Sequence, residues 1–388
     1  MGKLILGFII DRCGGVVSLQ VALAVLSMLM VRIATATKFQ TFASSWIFVD
    51  FIFSACWPAS IKAIHEFFPP PEWIPSISML ATAARIGNAM AFSSFAILLK
   101  LASKGLVSSS THTNLSSPMH AWRYVFGACS AIQLIPIILL LYFGRQKQPD
   151  HAPSAITDIC DKPNNTNDSN TIPHHHRQSS NLSMIKKQLK SVGFWLHLIS
   201  RSCLMVFISY LLFVPTYMKH AFGMTSSAAA QVGSIFALGC LLSVTTGSKP
   251  YSSYTTTQRS ALLSTLLGLG TIVSFLQWAH VSGQILLTPA IGVVCMFFWG
   301  FTASLPFYIP PSLYALEQGG AASSATISVL FDFFGFLLLA RFNGYVASIT
   351  HATLSQWKGP FLFTTVCSFI SLCSLTVATF MEGRNQAH

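Results

Sequence analysis

Charged residues are scarce in this sequence. They make up 9% of the 388 residues, with only 11 acidic side chains against 23 lysines and arginines. Soluble domains carry about 25% charged residues. The apolar residues, 52% of the chain with 31 phenylalanines, cannot all be buried inside one soluble protein of this size. The composition excludes a soluble globular protein and predicts an integral, multi-pass membrane protein for which lipid is the main solvent.

The common catalytic and metal-binding signatures are also missing. The sequence has no nucleotide-phosphate loop, no GxSxG and no HExxH motif, and its nine cysteines show neither CxxC nor zinc spacing. We therefore expect no enzyme activity, no cofactor and no metal site. The net charge of +12 does not indicate a nucleic-acid partner, because most of the basic residues flank apolar runs and so orient helices in a membrane.

Long apolar runs divide the chain into candidate membrane spans of about 20 residues each. Ten such runs occur, at roughly 16–36, 42–62, 76–100, 122–143, 193–216, 226–247, 260–279, 285–308, 322–345 and 358–381, and residues 1–10 have the composition of the end of another span. Between 144 and 192 the sequence becomes rich in Asn, Ser, His, Pro and charge, which predicts a disordered linker. Its last part, 184–190 (MIKKQLK), is basic and amphipathic, and we expect it to lie on an anionic membrane surface.

The linker separates two groups of spans. Four spans and a fragment precede it and six spans follow it, which predicts an N-terminal helix bundle over 1–143, the linker over 144–192 and a six-helix bundle over 193–388. One and a half further spans in front would make the two bundles equal. We therefore expect the first bundle to lack its first helix and part of its second.

The distribution of lysine and arginine predicts the orientation. If the loop that holds Asp11 and Arg12 is cytoplasmic, the cytoplasmic segments carry more basic residues than the opposite side. This orientation places the linker and the C-terminus in the cytoplasm. It also places Asn114, in the sequon Asn114-Leu115-Ser116, on the opposite side, where an N-glycan can attach.

The stretch GFIIDRCGG, 7–15, contains a glycine-bracketed acid–base pair at the end of an apolar run. Its pattern G-x-x-x-D-R-x-G, formed by Gly7, Asp11, Arg12 and Gly14, resembles the loop between the second and third helices of the major facilitator superfamily. The resemblance implies a latch that joins the two halves of the protein in one conformation and releases them in the other. Asp11 suits the positive N-terminal end of a helix, and the span that begins near 319–320 is its expected partner.

The resemblance implies an all-α fold of two pseudo-symmetric six-helix bundles. It also implies a monomeric secondary active transporter of a small organic solute, working by alternating access, with a proton or phosphate as coupling ion. The expected location of such a transporter is the plasma membrane or an endomembrane. Two alternatives stay open at this point: a non-transporting or substrate-sensing member of the same fold, and a transporter of a neutral solute such as a sugar.

Three segments carry a narrower resemblance, to the organophosphate:phosphate antiporters. They are CWPASIKAIHEFFPPPEW (56–73), FVPTYMKHAFG (213–223) and LYALEQGG (313–320). The resemblance implies an anionic substrate, an organophosphate or a carboxylate. It also implies phosphate-binding arginines on the first and seventh helices and a histidine on the fifth. At the seventh-helix position this chain has Phe207, and at the fifth-helix position it has Ala84.

Charged side chains in the middle of apolar runs are costly in lipid and therefore indicate a partner or a functional site. We predict substrate binding by Arg85 and Arg201, with Asn88, one turn after Arg85 on the same helix face, adding hydrogen bonds. Asp50 and Asp332 are predicted to balance charge or to couple protons. The sequence leaves open whether Arg85 and Asp50 neutralise each other and whether Asp332 pairs with a cation elsewhere in the chain.

Overall fold

Helices form the framework of the protein. The computed structural model describes residues 2–108, 121–143, 186–349 and 354–387. The long helices within these ranges are α1 (Gly2–Cys13), α2 (Gly15–Ala34), α3 (Phe39–Phe67), α4 (Trp73–Ser108), α5 (Ala121–Phe143), α6 (Val192–Ser209), α7 (Val214–Phe222), α8 (Ser226–Ser253), α9 (Thr256–Val281), α10 (Pro289–Ala347) and α11 (Lys358–Ala387). Short 3-10 helices occur at Pro70–Glu72, Tyr210–Leu212 and Leu354–Trp357. No strand occurs in these ranges, and the predicted all-α fold is confirmed.

Nine of the ten predicted spans each fall on one helix, and two of these nine fall on α10. Among the described residues, eight helices are long and apolar enough to cross a membrane, and α10 is the longest of them, with 59 residues. At about 1.5 Å per residue it would extend nearly 90 Å as a straight rod, far more than the roughly 30 Å of a bilayer core. Gly320 interrupts it with φ 51° and ψ −156°, a conformation open to glycine because it has no Cβ. Residues 289–319 and 321–347 therefore act as two separate spans.

The run 193–216, predicted as one span, is broken in the structure. Helix α6 ends at Ser209, the 3-10 turn Tyr210–Leu212 follows, and α7 begins at Val214. Pro215 lies in the first turn of α7, where its missing N–H removes no helical hydrogen bond but would remove one from a continuous helix. Gly223, with φ 64°, then ends α7.

The helices pack as two groups that meet along α10. In the first group α2 packs against α3 and α5, and in the second α6 packs against α10 and α11, while α9 packs against α11 and α8 against α10. The groups touch where α4 lies along α8 and where α1 and α3 lie against α10. Large apolar side chains such as Met28, Ile132 and Phe380 are exposed on the outside. That surface fits a lipid environment.

Many of the contacts described below lie at one end of the molecule. We call it the linker face, and it comprises the α1–α2 junction, the segment 186–191 and the kink at Gly320. Residues 144–185 of the predicted linker and the sequon asparagine Asn114 lie outside the described residues. At the end of the predicted linker, Gln188 accepts a hydrogen bond from the Tyr314 hydroxyl (2.9 Å), and the Trp195 indole donates to the carbonyl of Leu189 (2.9 Å).

Candidate functional site

Asp11 joins the first group of helices to the second half of α10. Its carboxylate accepts hydrogen bonds from the backbone N–H groups of Ala325 (3.2 Å) and Thr326 (3.0 Å), and from the Thr326 hydroxyl (2.5 Å). These residues lie just after the Gly320 kink, the region in which the sequence predicted the partner of Asp11. Burial raises the pKa of the Asp11 carboxyl, while the hydrogen bonds from Thr326 and the charge of Lys62 oppose that shift.

The glycines around Asp11 allow this close contact. A Cβ on Gly7 would lie 3.2 Å from the Cα of Thr326 and 3.2 Å from the Val329 side chain, so a larger residue would push α1 away from α10. Gly14 adopts φ 88° and forms the turn between α1 and α2. Arg12 is exposed, and no ion pair of the described residues includes it.

Lys62 and Glu66, which the sequence did not assign to a site, make further contacts beside Asp11. Lys62 is buried on α3, and its ammonium donates to the carbonyl of Ala321, immediately after the kink. Glu66, one turn further along α3, accepts from the backbone N–H of Gly15 at 3.0 Å and lies 3.8 Å from the Lys62 ammonium. Opposite charges four residues apart near the end of a predicted span are the sequence signal that identifies this pair.

Arg85 lies on α4, where the two groups of helices meet. It is 5% exposed, its guanidinium donates to the Tyr308 hydroxyl of α10, and its Cζ lies 4.9 Å from the centre of the Tyr308 ring. The Tyr308 ring also packs against Trp57 of α3, with 4.8 Å between centroids. The Arg85 Nε atom is buried without a hydrogen-bond partner among the described residues. Arg85 is thus a buried cation that is held by an aromatic side chain.

Arg201 and Asp332 form a buried ion pair between α6 and the second half of α10. Asp332 Oδ1 lies 2.9 Å from Arg201 Nη2 and 3.3 Å from Nε, and both side chains are at least nine-tenths buried. Arg201 also donates to the carbonyl of Phe307, and its Cζ lies 3.6 Å from the centre of the Phe307 ring. Asp332 thus pairs with Arg201, a residue that the sequence assigned to substrate binding.

The other predicted residues are placed differently. The pair of Arg85 and Asp50 that the sequence left open does not form: Asp50 is on the exposed face of α3, and the contact of Arg85 is Tyr308. Asn88 is half-buried one turn after Arg85. Phe207, at the position of the expected seventh-helix arginine, stacks on Trp299 with 4.6 Å between ring centroids.

A small pocket adjoins the Arg201–Asp332 pair. Its volume is about 10 Å³, and Trp57 of the first group lines it together with Arg201, Asp332 and the hydroxyl groups of Ser312 and Ser328 from the second. That volume is close to the roughly 10–15 Å³ that one water molecule needs. The space beside the Arg201–Asp332 pair is therefore about the size of one water molecule.

The fold and the site define a helical membrane protein whose two bundles meet around buried charges and are fastened at one end. A sequence model of the Major Facilitator Superfamily matches residues 1–340. The chain therefore belongs to this superfamily, whose members are membrane transporters.

Solved structures of the same fold resemble the chain. A variant of the E. coli fucose:proton symporter FucP has 13% identity and a TM-score of 0.61, over 97% of this chain and 87% of that chain. A D-xylose-proton symporter has 15% identity and a TM-score of 0.59, over 95% and 84%. The proton:xylose symporter XylE bound to 6-bromo-6-deoxy-D-glucose has 15% identity and a TM-score of 0.61, over 98% and 82%. Identities this low show the fold alone. A search of curated proteins gave no match.

Proposed function

We propose that this transporter carries a small organic solute with one acidic group, a carboxylate or a phosphate ester, by alternating access between its two bundles. The observation that supports it is Arg85. This cation is buried at the contact between the bundles, and among the described residues none of its contacts is with an acidic side chain.

An unpaired guanidinium at this depth is costly. Charged groups in the bilayer centre cost about 3 kcal/mol or more, and an arginine side chain does not escape the cost by losing its proton. A carboxylate or phosphate of the solute removes the cost because it accepts two parallel N–H bonds from one guanidinium. The rings of Trp57 and Tyr308 beside Arg85 supply an apolar surface for the carbon skeleton of the solute.

In this proposal the Arg201–Asp332 pair couples transport to a proton. The pair is neutral as long as Asp332 is ionised, and protonation of Asp332 releases the positive charge of Arg201 beside the pocket. One proton entering with one monoanionic solute moves no net charge across the membrane. Asn88, one turn after Arg85, is the proposed hydrogen-bonding contact for the rest of the solute.

A neutral sugar carried with a proton is the second candidate. It is favoured by the similar fold of the fucose and xylose symporters and by the internal charge balance of Arg201 and Asp332, which leaves that part of the site uncharged. The two candidates differ in Arg85. A neutral solute leaves its charge uncompensated in every step, whereas an acidic solute neutralises it.

Uptake into proteoliposomes under an imposed pH gradient tests the proposal. The solutes are a radiolabelled monocarboxylate, a hexose phosphate and the neutral hexose. We expect saturable uptake of an acidic solute, a loss of at least about 30-fold in Arg85→Met, since truncating one partner of a buried charge pair costs about 2–5 kcal/mol, and a smaller loss in Arg85→Lys. Arg341→Gln, which removes an exposed arginine of α10, is the matched control and should match the wild type.

Three results would contradict the proposal. Uptake of the neutral hexose alone would favour the second candidate. Equal kinetics for Arg85→Met and the wild type would remove Arg85 from the binding site. Saturable binding of a solute without any uptake would favour the non-transporting, substrate-sensing alternative.

A further inference from the structure

The first half of α10 contains three prolines that are buried inside the helix, Pro306, Pro310 and Pro311. A proline has no backbone N–H, so the carbonyl four residues before it lacks its helical donor, and the proline ring pushes that carbonyl out of line. For Pro311 this carbonyl belongs to Phe307. Pro310 lacks the N–H of the tighter 3-10 bond to the same carbonyl. The helix therefore offers the Phe307 carbonyl neither an α-helical nor a 3-10 donor.

Arg201 of α6 supplies a donor to this carbonyl. Its Nη1 donates to the Phe307 oxygen, and its guanidinium carbon lies 3.6 Å from the centre of the Phe307 ring. Its Nε and Nη2 donate to Asp332. Pro311 lines the small pocket beside this ion pair. The guanidinium thus has two kinds of acceptor, a carboxylate and a carbonyl that is available because residue 311 is a proline.

The two acceptors of Arg201 respond differently to a proton. Protonation neutralises the Asp332 carboxylate and turns one of its oxygens into a donor, whereas the Phe307 carbonyl and ring do not change. Arg201 keeps its own charge, because the guanidinium is not deprotonated in proteins. The carbonyl is then the strongest acceptor that remains, and the aromatic face also attracts the cation. The carbonyl therefore contributes more to the state with protonated Asp332 than to the ion pair.

Arg201 is the charged group in contact with Asp332 among the described residues. The other titratable groups that point towards α10 from the helices packed against it have contacts of their own. These groups are Asp11, Lys62, Arg85 and His197, which bond to the Thr326 amide, the Ala321 carbonyl, the Tyr308 hydroxyl and Glu382, respectively. The protonation of Asp332 therefore depends above all on how Arg201 is held.

We propose that Pro311 is a positioning residue for the proton step. Because it has no N–H for the Phe307 carbonyl, that carbonyl binds Arg201 and keeps the guanidinium in place when Asp332 is protonated. The inference rests on the proposed coupling role of the Arg201–Asp332 pair. An alanine at position 311 supplies an N–H that competes with Arg201 for the carbonyl. The protonated state then loses more stabilisation than the ion pair does, and Asp332 takes up its proton only at lower pH.

Infrared spectroscopy of the full-length protein in lipid bilayers tests this role without any solute. The carbonyl band of a protonated carboxyl group reports the protonation of Asp332, and the part of the band that Asp332→Asn removes identifies it. We expect Pro311→Ala to move the midpoint of its pH titration about one unit lower, because weakening a hydrogen bond to a charged group changes an equilibrium about tenfold. Pro306→Ala is the matched control. Its new N–H faces the Thr302 carbonyl and not that of Phe307, so the midpoint should match the wild type.

A second variant separates the N–H from the side chain. Pro311→Gly supplies the same N–H without a Cβ and should move the midpoint in the same direction, and it serves as the test if Pro311→Ala does not fold. An unchanged midpoint in the folded variants or an equal shift in Pro306→Ala would overturn the proposal. So would the absence of an Asp332 band at every pH at which the protein stays folded.

Uptake into proteoliposomes distinguishes this inference from the proposed function. In Pro311→Ala the pH of half-maximal uptake of the acidic solute should move by the same amount as the infrared midpoint. Uptake whose pH profile is the same in Pro311→Ala and the wild type would contradict the role of Pro311 in the proton step. If the wild type takes up no solute but the infrared shift occurs, the proposed function is wrong and the positioning of Arg201 by Pro311 is confirmed.

Discussion

Replacing Asp11 with alanine should open the linker face. Asp11 makes three hydrogen bonds to the start of the second half of α10, two of them to backbone N–H groups. Hydrogen bonds to charged groups are worth about 1.5–3 kcal/mol each but do not add fully, and the side chain is half-buried, so we take roughly 2–4 kcal/mol for the whole contact. At about 1.4 kcal/mol per tenfold, the ratio of the closed to the open conformation should fall roughly 30- to 700-fold.

Pulsed dipolar EPR in lipid nanodiscs measures that ratio. Spin labels at positions 72 and 249, both exposed, report the distance between the first and second bundles, in a background without the nine cysteines. We expect Asp11→Ala to move the distance distribution towards longer values. Asp11→Asn should have an intermediate effect, because its amide keeps an acceptor oxygen but not the charge. Arg12→Gln changes the adjacent, exposed residue and should leave the distribution unchanged.

A distance distribution that is the same in Asp11→Ala and the wild type would refute the latch. A second test uses Thr326→Val, which removes the hydroxyl that donates to Asp11. Because the two residues touch, the effects of the two substitutions should not add, with a coupling of about 0.5 kcal/mol or more. Additive effects would show that the contact does not contribute to closure.

The remaining predictions concern stability, measured as thermal unfolding of the purified protein. Arg201→Leu should destabilise the fold by about 3–5 kcal/mol because Asp332 is left buried and unpaired. The double variant Arg201→Leu with Asp332→Leu should recover most of that loss. A double variant that is no more stable than Arg201→Leu would contradict this prediction. Gly15→Ala should strongly destabilise the fold, because a Cβ at this position overlaps the backbone of α3. Gly127→Ala is the control and should be neutral, because a Cβ there meets open space. Equal unfolding midpoints of the two variants would refute the packing argument. Gly320→Ala should cost about 1–3 kcal/mol through its left-handed φ, and an unchanged midpoint would show that the kink is not strained.

The spans were predictable because lipid imposes a length. A run of about 20 residues can span the bilayer because of its apolar composition, whatever the order of its residues. The positions of α2, α3, α8 and α9 therefore follow from composition. The ends of the spans were less predictable. The residues 309–319 were not assigned to a span, yet α10 continues through them to Gly320, since backbone hydrogen bonding does not stop at the edge of an apolar run. Pro215 is a sequence signal for the break between α6 and α7. Because the apolar run 193–216 is continuous, a single span was nevertheless predicted there.

The charged residues of the central site could be predicted from the sequence, but their partners could not. Arg85, Arg201 and Asp332 stand out because a charge inside an apolar run needs a reason. Their partners depend on how helices far apart in sequence pack, and no local pattern encodes the contact of Arg85 with Tyr308, 223 residues away. The contact of Arg85 with Tyr308 therefore follows from tertiary packing alone.

Helix α10 links the latch and the central site. Arg85 and Arg201, from different bundles, pack on the neighbouring rings of Tyr308 and Phe307 in its first half. Asp11 holds its second half, which also carries Asp332, and Gly320 separates the two halves. If an acidic solute draws Arg85 away from Tyr308, the contact between the first bundle and α10 weakens at the centre, and the latch becomes the main contact that keeps the linker face closed. The proposed transport cycle thus requires the latch to be weak enough to break once the solute is bound, and its Asp11 carboxylate is only half-buried on a helix end.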